Sequence, residues 1–121
     1  MKGGVKMAET TEEIEKAEIV GETNIVASDV YAALRECYDP EIPVNIVDLG
    51  LIYNLRIEGE KVDVTMTLTA IGCPVAPEVM AEVQERVSAV ANVEGCTVNL
   101  TFDPPWTPER MTEDARWELG I

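Results

Sequence analysis

The sequence predicts an α+β fold, a two-layer domain with helices on one face of a small mixed sheet of three strands. Three segments alternate apolar and polar residues, the pattern of strands with one buried and one solvated face. A short turn separates the first two segments, so we expect an antiparallel hairpin. A helical segment separates the second and third, so the third strand should run parallel to the second. The predicted element order is α-β-β-α-β-α.

The N-terminal 27 residues are interpreted as a flexible acidic tail, because they are rich in Glu, Lys and Thr and contain few large apolar side chains. The domain is predicted to span residues 28–121. Ser28 is a suitable N-cap for the first helix, and Val30, Leu34 and Cys37 follow at helical spacing as its buried face. This helix ends in the run 39–43, since proline disfavours helical backbone in the residue before it.

The remaining elements follow from periodicity and from turn residues. Gly59 lies in the tight turn of the hairpin, and a Thr-Pro pair marks the start of a short C-terminal helix. Thr65, Thr67 and Thr69 of the second strand are expected on the solvated face of the sheet. The predicted strands are residues 51–58, 62–69 and 96–102, and the later helices are residues 74–91 and 108–119.

Composition excludes several classes of function. The chain has 121 residues, of which 23 are acidic and 9 basic, so its formal net charge is −14. Nucleic acids and anionic membranes are therefore not expected partners, because both require a basic surface. No apolar run approaches the roughly 18 residues of a membrane span, and the N-terminus lacks the apolar segment of a signal peptide. We expect a cytoplasmic protein.

The sequence contains no histidine, which excludes Ser-His-Asp and Cys-His catalysis in their usual forms. Its three cysteines are Cys37, Cys73 and Cys96. The odd number and wide spacing argue against a disulfide framework. Because no two cysteines form a CxxC pair, a zinc ribbon or a self-contained cluster site is not predicted either.

The unusual motifs fall at one edge of the predicted sheet. Hairpin and crossover together place the start of the first strand beside the ends of the second and third. Residues 48–50 precede the first strand, residues 69–74 follow the second, and residues 103–106 follow the third. This convergence predicts a functional site.

Cys73 has a specific environment in this prediction. If it caps the following helix, the free amides of Val75 and Ala76 are available to its sulfur. The helix dipole then favours the thiolate and nearby carboxylates favour the thiol, so the sequence leaves the protonation state of Cys73 open. Gly72 beside it lets a partner or a cluster approach closely, and Thr69 is the nearest strand threonine. The structural alternative is a cysteine buried as a small apolar residue, which is the favoured interpretation for Cys37 and Cys96.

The other candidates also have structural alternatives. Asp39 and Glu41 flank a proline turn, where carboxylates commonly form the turn and face solvent. For Asp48, a role in the functional site and a role as the cap of a turn are equally supported. Asp103 precedes two prolines, a pattern that favours a structural role in a turn over a functional role. Trp106 fits either a small C-terminal core or a surface for a partner.

Four blocks of sequence, in this order, resemble the SufT/PaaD-like metal–sulfur cluster biosynthesis family. The resemblance covers residues 28–121 and implies a two-layer iron–sulfur assembly domain. The family's reactive cysteine falls on Cys73, and its acidic residues fall on Asp39, Glu41 and Asp48. The blocks are Asp39–Pro43, Val47–Tyr53, Thr67–Thr69 leading to Cys73-Pro74, and Phe102–Trp106.

The resemblance implies a factor that matures iron–sulfur proteins together with Suf-type assembly proteins and client apoproteins. A cluster usually takes four ligands and the chain offers one convincing thiolate, so an iron–sulfur cluster or iron would be held transiently at Cys73. The alternative is an adaptor that links assembly machinery to clients without holding metal. A thiol enzyme is not expected, because no histidine can act as its base. A homodimer that brings two copies of Cys73 together remains open.

Overall fold

The computed structural model describes residues 16–39, 42–69 and 76–120. Within these residues it contains one sheet of four strands and three α-helices. In chain order the elements are β1 (Glu18–Val20), α1 (Ala27–Leu34), β2 (Ile52–Glu58), β3 (Lys61–Met66), α2 (Ala76–Ser88), β4 (Gly95–Leu100), a 3-10 helix (Pro108–Arg110) and α3 (Glu113–Leu119). The mixed α+β class predicted from the sequence is confirmed.

The sheet has the strand order β1-β2-β3-β4. Strands β2 and β3 form the predicted antiparallel hairpin, and β4 pairs parallel with β3 after the helical crossover through α2. Ile52 is paired with Met66, and Met66 with Leu100. The start of β2 and the ends of β3 and β4 therefore lie at one end of the sheet, as predicted.

The prediction of three strands was wrong, because β1 adds a fourth at the edge beside β2. It pairs parallel with β2 from Glu18 opposite Arg56 to Val20 opposite Glu58. The strand lies within the stretch interpreted as a flexible tail. Three residues are too few to show an alternating pattern, and the side chain of Ile19 is 53% exposed. This segment is a strand because its backbone pairs with the edge of β2, and not because of a pattern in its own sequence.

Helix α1 begins two residues earlier than predicted. Val26 occupies its N-cap without a side-chain hydrogen bond, and the N–H groups of Asp29 and Val30 donate to the Val26 carbonyl. Ser28 therefore lies in the first turn and not at the cap. Val30 and Leu34 are fully buried, which confirms the predicted inner face of this helix.

The predicted C-terminal helix is divided into the 3-10 helix and α3. Between them Met111 and Thr112 have extended backbone. Met111 is buried, and the hydroxyl of Thr112 accepts a hydrogen bond from the N–H of Ala115 at the start of α3. Burial of Met111 and capping by Thr112 explain why the helix restarts here.

One face of the sheet is buried under α1 and α2, and the other is mostly polar. On the polar face Asn54, Asp63, Thr97 and Asn99 are exposed, which agrees with the predicted single solvated face. No helix in the described part of the chain is both long and apolar enough to span a membrane. The core side chains include Val30, Leu34, Leu55, Ile57, Val62, Val64, Met66, Val79, Val83 and Val87.

Candidate functional site

Three loops meet where β2 begins and where β3 and β4 end. We call this region the site corner and define it as residues 48–51, 67–69 and 101–106. The N–H of Thr67 donates to the carbonyl of Leu51 at 2.9 Å, and the N–H of Thr101 donates to the carbonyl of Met66 at 2.9 Å. Backbone hydrogen bonds thus continue past the strands and hold the loops side by side.

The C-terminal segment is anchored to the loop that precedes β2. The indole Nε1 of Trp106 donates to the carbonyl of Leu49 at 2.6 Å, and the N–H of Thr112 donates to the carbonyl of Asp48 at 2.8 Å. Trp106 is half-buried and packs against the core. These contacts give Trp106 the predicted structural role of closing a small C-terminal core.

Tyr53 supports the same segment from the start of β2. Its hydroxyl donates to the carbonyl of Pro104 at 2.8 Å, and the Arg110 guanidinium lies 4.7 Å from the centre of its ring. A cation over an aromatic face is attracted by the ring quadrupole. Tyr53 therefore contacts the segment on either side of Trp106.

Asp39 and Thr69 are brought together across the fold. The hydroxyl of Thr69 donates to Oδ2 of Asp39 at 3.3 Å, although the two residues are 30 positions apart. Asp39 is only 3% exposed, so its carboxylate depends on protein partners in place of water. Two of the predicted site residues thus form one contact between the loop after α1 and the end of β3.

Asp48 is held by its own loop. Its Oδ2 accepts a hydrogen bond from Nδ2 of Asn45 at 3.0 Å, and its N–H donates to Oδ1 of Asn45 at 2.9 Å. Nε of Arg35 lies 3.8 Å from Oδ1 of Asp48. These contacts support the turn-capping interpretation. Arg35 and Asn45 were not singled out from the sequence, since nothing in their spacing links them to Asp48 before the loop is folded.

Of the remaining candidate residues, one lies on the surface and three lie outside the described residues. Asp103 is exposed, and its N–H donates to the hydroxyl of Thr101 at 3.2 Å, as a turn residue would. Glu41, Gly72 and Cys73 lie outside the described residues. Their predicted roles stay predictions.

Thr67 departs from the expected pattern. Its side chain is fully buried and its hydroxyl has no hydrogen-bond partner, whereas alternation along β3 placed it on the solvated face. Thr67 follows the last residue of β3 and pairs with Leu51, which is also fully buried. Alternation therefore does not continue past the end of β3, since Met66, Thr67 and Leu68 are all buried.

The two described cysteines are poorly suited to binding a metal. Burial, with a smaller effect from Glu82, raises the pKa of Cys37 to about 12. Burial and the charge of Asp63 raise the pKa of Cys96 to about 11. The thiolate is the form that binds metal, and the raised pKa of both thiols makes that form less accessible than in an ordinary cysteine. This supports the core-packing interpretation of both residues.

We therefore predict selective alkylation. At pH 8, iodoacetamide should modify native protein at Cys73 and leave Cys37 and Cys96 unmodified, because their raised pKa values suppress the reactive thiolate. Labelling of these two should rise only as the pH approaches 11, the lower of the two pKa values. Peptide mass spectrometry of protein labelled across this pH range measures it, with denatured protein as the control. Fast labelling of Cys37 in native protein at pH 8 would contradict the prediction.

The described residues contain no cluster of three or more Cys, Asp or Glu side chains that could hold a metal ion. An iron–sulfur cluster carried as cargo is usually bound by thiolate ligands. Among the three cysteines, the burial of Cys37 and the packing of Cys96 against the core leave Cys73 as the candidate ligand.

Comparison with known proteins identifies relatives in iron–sulfur cluster assembly and maturation. The profile of a family described as iron–sulfur cluster assembly protein matches residues 27–100. The chain is 48% identical over 94 residues to an Fe-S protein maturation auxiliary factor of Porphyromonas gingivalis, covering 77% of this chain and 90% of that protein. It is 37% identical over 84 residues to the auxiliary factor SufT of Staphylococcus aureus, covering 69% of this chain and 96% of that protein.

A solved structure has the same architecture. The crystal structure of a domain of unknown function, DUF59, from Bacillus anthracis superimposes with a TM-score of 0.73 at 36% sequence identity. The match covers 94% of this chain and 98% of that one. The described fold is therefore shared over nearly the whole length of both chains.

Proposed function

The chain belongs to the iron–sulfur cluster assembly protein family, as its resemblance to SufT-like proteins predicted, and on that premise we propose that it is a maturation factor for iron–sulfur proteins. In this proposal Cys73 binds iron or a cluster as cargo and passes it to client apoproteins. The protein acts as an auxiliary factor and not as an enzyme. The observation that carries the proposal is that Cys37 is fully buried and Cys96 is packed against the core, with burial raising the pKa of both thiols, which leaves one candidate ligand.

One ligand dictates how the cargo is held. A cluster usually needs four ligands, so the others come from a Suf-type assembly protein, a client, a small thiol or a second subunit. Incomplete coordination by this chain makes transfer easy, because the client needs to displace only one bond to it. The free thiols of Cys37 and Cys96 suit a reducing compartment such as the cytoplasm.

The site corner supports this role by fixing the loops around the Cys73 segment. That segment begins after Thr69, which contacts Asp39, and ends before Ala76, the first residue of α2. Trp106 fixes the neighbouring loop through Leu49. The residues to which we assign a supporting role are Asp39, Glu41, Asp48, Thr69, Gly72, Asp103 and Trp106.

Anaerobic reconstitution tests the proposal. Wild-type protein, Cys73→Ser and Cys96→Ser are incubated with iron, sulfide and a small thiol, and bound iron, bound sulfide and visible absorbance are measured. We expect Cys73→Ser to bind about tenfold less iron and sulfide, because its hydroxyl is a poor ligand for a cluster. Cys96→Ser is the matched control and should bind within about twofold of wild type, since Cys96 is a protonated thiol.

Equal loading of wild type and Cys73→Ser, or no loading of either, would reject cargo binding at Cys73. The alternative function is then an adaptor that brings assembly proteins to clients without holding metal. One observation favours it: Trp117 on α3 is 87% exposed, and exposed tryptophans often anchor protein partners. Measuring client maturation in cells separates the two, because an adaptor carrying Cys73→Ser would still support it.

A further inference from the structure

A groove with mostly apolar walls runs between α2 and the outer edge of the sheet. Its volume is about 400 Å³, and its walls include Met80, Ala81 and Gln84 of α2 with Val98 and Leu100 of β4. No lysine or arginine lines it. None of the residues that line the groove belongs to the site corner.

One wall of the groove is a strand edge with free backbone groups. The N–H of Thr101 is directed at β3, where it donates to Met66, and the register from Gly95 to Leu100 is unbroken. Because backbone groups alternate in direction along a strand, those of Val98 and Leu100 are directed outward. In the described parts of the chain no strand pairs with this edge. The edge can therefore accept another strand.

Gln84 limits where such a strand can pair. Its side-chain Nε2 donates to the carbonyl of Cys96 at 3.1 Å, which satisfies the first outward-directed acceptor of β4. A strand added to this edge would find its free partners at Val98 and Leu100. The apolar side chains of these two residues line the groove there, so backbone pairing and side-chain insertion would occur together.

The rim of the groove is acidic. Glu78 and Glu85 are exposed and lie three and four residues from Ala81 on α2, so the three share one stripe of the helix. The whole chain carries a formal net charge of −14. A second copy would bring the same charge to the rim, whereas a basic segment would be attracted to it.

We propose that this groove docks an extended, basic segment of a partner polypeptide, which adds a strand to β4 at Val98 and Leu100. Alternate apolar side chains of the segment enter the groove, and flanking lysines or arginines face Glu78 and Glu85. Main-chain hydrogen bonds provide affinity and the groove selects side chains, as in other cases of strand addition.

Titration of isotope-labelled protein with the peptide acetyl-Lys-Thr-Val-Thr-Val-Thr-Lys-amide, followed by amide chemical shifts, tests the proposal, because alternation along an added strand directs both valines and both lysines of this peptide to the same face. The amides of Val98 and Leu100 should shift, and the affinity should fall as salt is raised. The peptide with Glu in place of Lys should not bind. Ala81→Arg should weaken binding by about tenfold or more, because it fills the groove and adds a positive charge to the acidic rim. Ala89→Arg makes the same charge change at an exposed position outside the groove and should weaken binding by about twofold or less.

Equal effects of the two arginine variants, or shifts confined to the opposite face of the sheet, would overturn the proposal, as would failure of the lysine peptide to bind. A dimer of the wild-type chain that Ala81→Arg dissociates would also overturn it, because the groove would then hold a second copy. Sedimentation of wild type and Ala81→Arg over a range of protein concentrations measures whether either protein forms a dimer. Retained folding of Ala81→Arg is checked by circular dichroism.

Discussion

Replacing Gly50 with alanine is expected to lower the free energy of unfolding by about 3 kcal/mol or more. Two effects add at this position. Gly50 has a φ of +80°, which L side chains rarely adopt. A Cβ built there would lie 2.2 Å from the carbonyl oxygen of Arg110, which is backbone and cannot turn away. The 3-10 helix would have to move off the loop before β2.

That movement would break contacts made by residues on both sides of Arg110. Thr112 donates to the carbonyl of Asp48, and Trp106 donates to the carbonyl of Leu49. Both donors lie on the segment that carries Arg110. Displacing this segment therefore exposes two backbone acceptors and loosens the site corner, at about 1 kcal/mol for each lost hydrogen bond.

Gly59 provides a matched control. It has a φ of +64° in the hairpin turn, but a Cβ there would have no heavy atom within 4 Å. Gly59→Ala should therefore show only the backbone term, about 1–2 kcal/mol. Urea unfolding of both variants measures the difference. If Gly50→Ala is no more destabilising than Gly59→Ala, the close approach of Arg110 does not contribute to stability.

The convergence of the three loops could be predicted because it follows from topology alone. Once residues 51–58 and 62–69 were recognised as a hairpin and residues 96–102 as a crossover strand, the end of the sheet where their loops meet was determined. Periodicity also identified the inner faces of α1 and α2, since Val30 and Val83 recur with their neighbours at helical spacing.

What the sequence did not disclose depends on contacts between distant residues. Strand β1 exists because β2 offers an edge, and alternation stops at Thr67, where the chain leaves β3 and its N–H donates to the buried Leu51. The close approach of Arg110 to Gly50 joins positions 60 residues apart. No local pattern marks such pairs, so the detailed support of the site could not be predicted.

Trp106→Ala is the second change for which we expect a large effect, a loss of about 2–3 kcal/mol in the free energy of unfolding. The variant removes a half-buried ring from the edge of the core and leaves the carbonyl of Leu49 without its indole donor. Trp106→Phe keeps most of the ring and should lose only about 1 kcal/mol, the contribution of the hydrogen bond.

Trp117 provides a control for the loss of a tryptophan as such, because it is the second tryptophan of the chain and its side chain is 87% exposed. Trp117→Ala should change the free energy of unfolding by less than about 0.5 kcal/mol. A loss in Trp117→Ala as large as that in Trp106→Ala would contradict the assignment of Trp106 as the anchor.

Combining Trp106→Ala with Gly50→Ala tests whether the two residues act through one contact surface. Both changes detach the same segment from the loop of Asp48 and Leu49. The double variant should therefore be less destabilised than the sum of the single variants, by about 1 kcal/mol or more. Additive losses would mean that the anchor at Trp106 and the packing of Arg110 on Gly50 stabilise the fold independently.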